Sequence, residues 1–201
     1  MRTWGRPWWA PDIPGISSRG GKGRHEACPY GNGHMDLREQ LANALQGNVV
    51  VMGMGNPCRG DDAAGSRVAQ RLHRAPAVHI IDAQDVPENY LRQIVRHRPD
   101  TIVLIDAVDL SSPPGSVALL EKNQTKDYWP STHRVPMSLV VDYLERETHA
   151  PIYLIAIQPL HTAFLRSLSA EVAASVEDVA VMLNGVLETR RAQAAPDAQA
   201  A

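Results

Sequence analysis

From about residue 35 to residue 190 the apolar positions follow two alternating rhythms. Short unbroken runs, NVVVMGM, AVHIIDA, DTIVLIDAVD, GSVALLE and APIYLIAIQP, alternate with stretches in which apolar residues recur every three or four positions. A brief Val/Ile-rich run bounded by turn residues is the pattern of a buried strand, and recurrence at three and four is that of a helix packed along one face. The helical stretches are MDLREQLANAL, a segment that begins at Asp61, VPENYLRQIVRH, VPMSLVVDYLERET and the long SAEVAASVEDVAVMLNGVLE. Asp61 reads as the N-cap of the second helix, with Ala63, Ala64, Val68 and Leu72 along its buried face. In the third, Leu91, Ile94 and Val95 face inward. GSVALLE is shorter than the other strands and more exposed in pattern.

Strands alternating with helices predict a mostly parallel sheet covered on both faces, with right-handed crossovers. In such sheets ligands gather outside the carboxyl ends of the strands, where the strand order reverses. Asp62 lies in the turn after the first strand and Asp106 at the end of the third. In a 2-1-3 order these strands are neighbours, and both carboxylates reach one crevice.

Composition adds little to this picture. The chain has 201 residues, 44% of them hydrophobic, enough for one domain with a core. A net charge of −2 gives no reason to expect a nucleic-acid or membrane partner. No apolar run approaches the ~20 residues of a membrane span. Two cysteines, Cys28 and Cys58, make no disulfide framework, and a reducing, cytoplasmic setting is the simpler expectation. Residues 1–34 hold Trp4, Trp8 and Trp9 among glycines and arginines, without periodicity and without a signal-peptide core. They are expected to be a disordered extension or the product of an upstream start codon, the alternative being tryptophans that pack onto something. Residues 35–190 form the single α/β domain of this reading. The end of the chain, TRRAQAAPDAQAA, reads as a frayed tail, with residues 191–201 outside the domain.

Two chemistries compete for the turn after the first strand. Gly53-Met54-Gly55 opens a dinucleotide-binding fingerprint, but Cys58 stands where its third glycine belongs. Asp82, at the end of the second strand, is roughly where a ribose-binding acid would be. Asp61 and Asp62, however, bring negative charge to the place a pyrophosphate needs. The charges suit a divalent cation better, because carboxylates and an imidazole fit nickel, zinc or iron. His133, in a long loop before a helix, is the best-placed histidine, and His161, just after the fifth strand, is the second candidate. His73, His79, His97 and His149 read as surface residues, and Cys58 as a loop residue with no general base at fixed spacing. Each candidate also has a plain structural reading: a cap for Asp61, a helix-dipole partner for Asp62, a turn for Asp106 and a loop histidine for His133. Pattern alone therefore reaches an α/β protein with an acidic crevice.

GMGNPCRGDDAAG, LIDAVD, STHRVPMSLV and IAIQP stand in the order and approximate spacing of the hydrogenase maturation endopeptidases, and residues 48–187 resemble that family. STHRVPMSL and VPEN are similar to the branch that serves formate-hydrogenlyase-type complexes. The resemblance implies a three-layer α/β/α fold on a five-stranded sheet of order 2-1-3-5-4 with strand four antiparallel. It implies a metal site, also the catalytic site, at Asp62 (Glu in some members), Asp106 and His133. Asp61 is not expected to coordinate, and Gln158 and Pro159 match the family's strand-five ending. The implied activity is a single cut that removes a C-terminal extension from the large-subunit precursor of a nickel–iron hydrogenase after nickel insertion. The implied metal is the substrate's nickel, with zinc or cadmium able to take the site in vitro. The implied partner is the nickel-loaded precursor, without nucleic acid or membrane insertion. H-E-x-x-H is absent, which excludes an ordinary zincin. A non-catalytic nickel-centre chaperone on the same fold and a Rossmann-like nucleotide-binding protein are the alternatives.

Overall fold

The computed structural model describes residues 36–121 and 136–194, and through residue 190 it describes side chains as well. Helix α1 (Leu37–Ala44) leads into β1 (Val49–Met54). A 3-10 turn (Gly60–Ala63) runs into α2 (Ala64–Ala69), and β2 (Val78–Gln84) follows. A second 3-10 turn (Pro87–Tyr90) opens α3 (Leu91–Arg96), which returns to β3 (Thr101–Ala107) and then β4 (Val117–Glu121). Helix α4 (Met137–Thr148), β5 (Ile152–Ile157) and α5 (Ala170–Ala194) complete the chain.

The strand order is β2-β1-β3-β5-β4, as the resemblance implied. β1 pairs in parallel with β2 and β3, β3 in parallel with β5, and β4 antiparallel with β5. Alternation of side chains along the strands divides the interior in two. Val49, Val51, Val103, Ile105, Ile155 and Ile157 meet α1, α2 and α5 on one face. Val50, Met52, Ile102, Leu104, Leu154 and Ala156 meet α3 and α4 on the other. Residues of β1 and β3 are buried throughout because helices cover both faces, which is why these strands read as unbroken apolar runs.

Four local expectations change. The segment from Asp61 is a 3-10 turn followed by a six-residue α-helix, and neither has a side-chain cap. VPENYLRQIVRH divides in the same way, with Pro87 opening the 3-10 turn and α3 starting only at Leu91. β4 lies at the sheet edge, yet Val117–Leu120 are buried, because α1 and α4 reach across it on the two faces. At the carboxyl end, α5 runs through Ala194, beyond the expected helix end, in a stretch of Ala, Arg and Gln that favours helix.

Candidate functional site

The site begins with close backbone contacts. A Cβ on Gly53 would lie 2.1 Å from the Gly65 carbonyl oxygen, and one on Gly65 would lie 2.0 Å from that of Ile105. Two glycines thus let α2 rest directly on β1 and β3. Gly55 has φ +117°, and a Cβ there would meet the Asp62 carbonyl oxygen at 1.7 Å. The 3-10 turn carrying Asp61 and Asp62 is thereby drawn down onto β3, the strand that carries Asp106.

The turn makes no phosphate cradle. The Gly55 N–H donates to the Gln84 carbonyl (2.7 Å), Asn56 N–H to Asp62 Oδ2 (2.9 Å) and Cys58 N–H to Asn56 Oδ1 (2.9 Å). Arg59 N–H goes to the Asn56 carbonyl (3.0 Å), Gly60 N–H to Arg166 (3.1 Å), Asp61 N–H to His161 (3.0 Å) and Asp62 N–H to Arg59 (3.1 Å). Residue 57 is proline, so every amide from 55 to 62 is already committed. Asp82 accepts from Ser66 Oγ and Gln70 Nε2, both at 2.7 Å, and pins α2 to β2 instead of facing a ribose. The dinucleotide reading loses both of its supports.

Asp62 and Asp106 are buried at the carboxyl-end rim of adjacent strands, as the 2-1-3 order predicts. Each commits one oxygen to a nearby amide: Asp62 Oδ2 accepts from Asn56 N–H, and Asp106 Oδ1 from Ala107 N–H at 2.8 Å. These bonds orient both carboxylates. His133 lies outside the described residues. Among the described residues no three His, Cys, Asp or Glu side chains gather as a metal site, so His161 does not complete one with Asp62 and Asp106. His161 instead packs beside Gly60, where a Cβ would be 2.7 Å from its Nδ1, and that nitrogen is buried without a hydrogen-bond partner. Cys58 is free and exposed, as a loop residue.

Asp61 is not a helix cap. It is fully buried, and its carboxylate collects four donors from the segment after β5. Oδ1 accepts from Ser169 N–H (2.6 Å), and Oδ2 from Leu160 N–H (2.9 Å), His161 N–H (3.1 Å) and Ser169 Oγ (2.9 Å). Ser169 Oγ in turn accepts from Val172 N–H at 3.4 Å and caps α5. Gln158 has a parallel role, its Oε1 accepting from Leu110 N–H (2.6 Å) and Ser112 N–H (3.3 Å) to hold the segment after β3. Sequence reasoning missed both roles, because the partners lie about 100 and 48 residues away and are mostly main-chain amides, which no residue type reveals.

Comparison with known proteins gives one consistent result. A family model described as hydrogenase maturation protease matches residues 64–185. The hydrogenase 3 maturation protease of Escherichia coli K12 is 29% identical over 139 residues, which cover 68% of this chain and 88% of the relative. The crystal structure of the [NiFe] hydrogenase maturation protease HycI from Thermococcus kodakarensis superposes with a TM-score of 0.69 at 30% identity, covering 74% of this chain and 99% of the other. A crystal structure titled hydrogenase 3 maturation protease gives a TM-score of 0.62 at 26% identity, covering 70% and 91%.

Proposed function

The chain belongs to the hydrogenase maturation protease family, and on that premise we propose that it removes the C-terminal extension of a nickel–iron hydrogenase large-subunit precursor once nickel has been inserted. The supporting observation is the pair Asp62 and Asp106: two buried, oriented carboxylates, one in the turn after β1 and one at the end of the neighbouring β3, with no amide left in that turn for an anion. Asp62, Asp106 and His133 are the proposed ligands of the precursor's nickel, with the cut falling close after its last metal-binding cysteine motif. The link from α4 to β5 is short, so α4 runs opposite to β5 and starts at the carboxyl-end rim. His133 precedes that start by four residues, which supports its place in the trio.

Two carboxylates and an imidazole suit a divalent ion of the nickel or zinc type. Held there, such an ion would position the scissile bond and polarise its carbonyl. The chain's own part is to orient the carboxylates through the Asn56 and Ala107 amides and to bring the turn down onto β3 through the close backbone approach that Gly55 and Gly65 allow. Among the described residues no helix is long and apolar enough to cross a membrane, and the proposed setting is the cytoplasm.

The test is a gel of nickel-loaded precursor with and without the protein. A shortened product, lost in Asp62→Asn, Asp106→Asn and His133→Ala while folding is kept, is the expected result. Binding of the precursor with no shortening by the wild type would favour the nickel-centre chaperone.

A further inference from the structure

Leu160, Phe164 and Leu165 are 55%, 65% and 79% exposed, and they lie within six residues of one another between β5 and α5. Single exposed apolar side chains are ordinary, whereas three within six residues of one segment single it out as a candidate binding surface. Leu165 also holds a left-handed backbone, φ +57°, which an L-residue with a bulky side chain adopts at a cost. The conformation is fixed by its N–H donating to the Cys58 carbonyl at 2.7 Å. This segment is joined to the turn of Asp62. Gly60 N–H meets the Arg166 carbonyl, Asp61 N–H meets the His161 carbonyl, and the Asp61 carboxylate takes four further donors. A fully buried carboxylate is therefore spent on holding a segment whose outward side chains are apolar.

We propose that residues 160–166 form a preformed ledge that seats an extended apolar stretch of the precursor polypeptide, one that also carries a carboxylate, beside the bond to be cut. This rests on the protease reading. The apolar part follows from Leu160, Phe164 and Leu165. The negative charge follows from Arg59 and Arg166, both exposed, both on this rim and neither in an ion pair among the described residues. The peptide must cross this rim, because the ledge continues directly into the turn that bears Asp62. Rigidity is the functional point: a segment already ordered by Asp61 loses no conformational freedom when the substrate arrives. Asp61 is thus a positioning residue that acts through the ledge.

The test uses the full chain and a nickel-loaded large-subunit precursor from the same organism. One variant is Phe164→Ser with Leu165→Asn, since asparagine tolerates the left-handed backbone; a second is Arg166→Glu. KM is expected to rise about tenfold in each, with kcat within about twofold, as for removal of a binding hot spot. The melting temperature should stay unchanged in both, because the altered side chains are exposed. Precursor affinity is measured separately by calorimetry, with every protein also carrying Asp62→Asn, so that nothing is cut and the loss of that ligand is common to all. If the wild type binds but does not cut, weaker binding by the ledge variants keeps the ledge and removes the protease reading. Equal KM and equal affinity in wild type and both variants overturn the ledge, whether or not the precursor is cut.

Discussion

Asp61 and Asp62 are neighbours in sequence with opposite fates. Asp62 keeps its carboxylate at the rim, held by a single amide, whereas Asp61 turns inward and satisfies four donors. An asparagine would serve almost as well as aspartate at a helix N-cap, but at position 61 it would not. Three backbone N–H groups and one hydroxyl point at the two oxygens, and either orientation of an amide would set an NH2 group against at least one of those N–H groups. A buried donor without a partner costs about 1–3 kcal/mol. Asp61→Asn is therefore expected to lower the melting temperature by several degrees and to raise KM for the precursor. Asp62→Asn should leave the melting temperature nearly unchanged and abolish cutting. Thermal unfolding read beside precursor cleavage checks both, and a fully stable Asp61→Asn protein would remove the clamp. The candidate rim was legible in the sequence at Asp62 and Asp106, because each follows an apolar run. Asp61 was misread, since the same local pattern describes a cap and a long-range clamp, and only the return of the chain after β5 distinguishes them.

At the scale of elements, α2 depends on a residue with no side chain. A Cβ on Gly65 would meet the Ile105 and Met54 carbonyl oxygens at 2.0 and 2.6 Å, backbone atoms that cannot rotate away. Gly65→Ala should lift α2 from β1 and β3 and cost about 3 kcal/mol or more. Equilibrium denaturation measures the loss, and cleavage should fall with it because Asp62 moves too. A second element-scale device joins β2 to the end of α3, where the rings of His79 and His97 stack with centroids 3.7 Å apart. Burial, and then the charge of His97, lower the pKa of His79 below 6.5. The folded protein thus binds fewer protons than the unfolded chain between that lowered value and 6.5. Stability is full above 6.5, falls as pH drops through 6.5, and levels off below the folded-state pKa. His97→Gln should make the fall shallower without abolishing it, since the burial contribution stays; melting curves between about pH 5 and 8 measure the difference. β1 and β3 were legible because burial on both faces leaves them almost entirely apolar. Helix starts were less so: 3-10 turns at Gly60 and Pro87 displace the α-helical ends without disturbing the apolar spacing that signals a helix.

For the whole molecule, the five strands and both cores of the described residues follow from α1, with Leu37, Leu41 and Leu45 already buried in the first of them. A chain starting at Met35 is accordingly expected to keep its melting temperature and its activity toward the precursor. A large loss in either would assign the tryptophans of the preceding segment to the core or to the substrate. Alternating strands and helices made the layered architecture readable without any relative. The position of β4 was not readable that way: a short apolar run can join either edge, and its antiparallel pairing with β5 came from the resemblance. The committed amides between Gly55 and Asp62 have a consequence for competition inside a living cell. Many α/β proteins with a glycine turn after the first strand capture ATP, coenzymes or free phosphate, which are abundant metabolites. Here the same turn is spent on its own backbone, so it is deaf to the energy state of the cell, and millimolar ATP should leave the melting curve where it was.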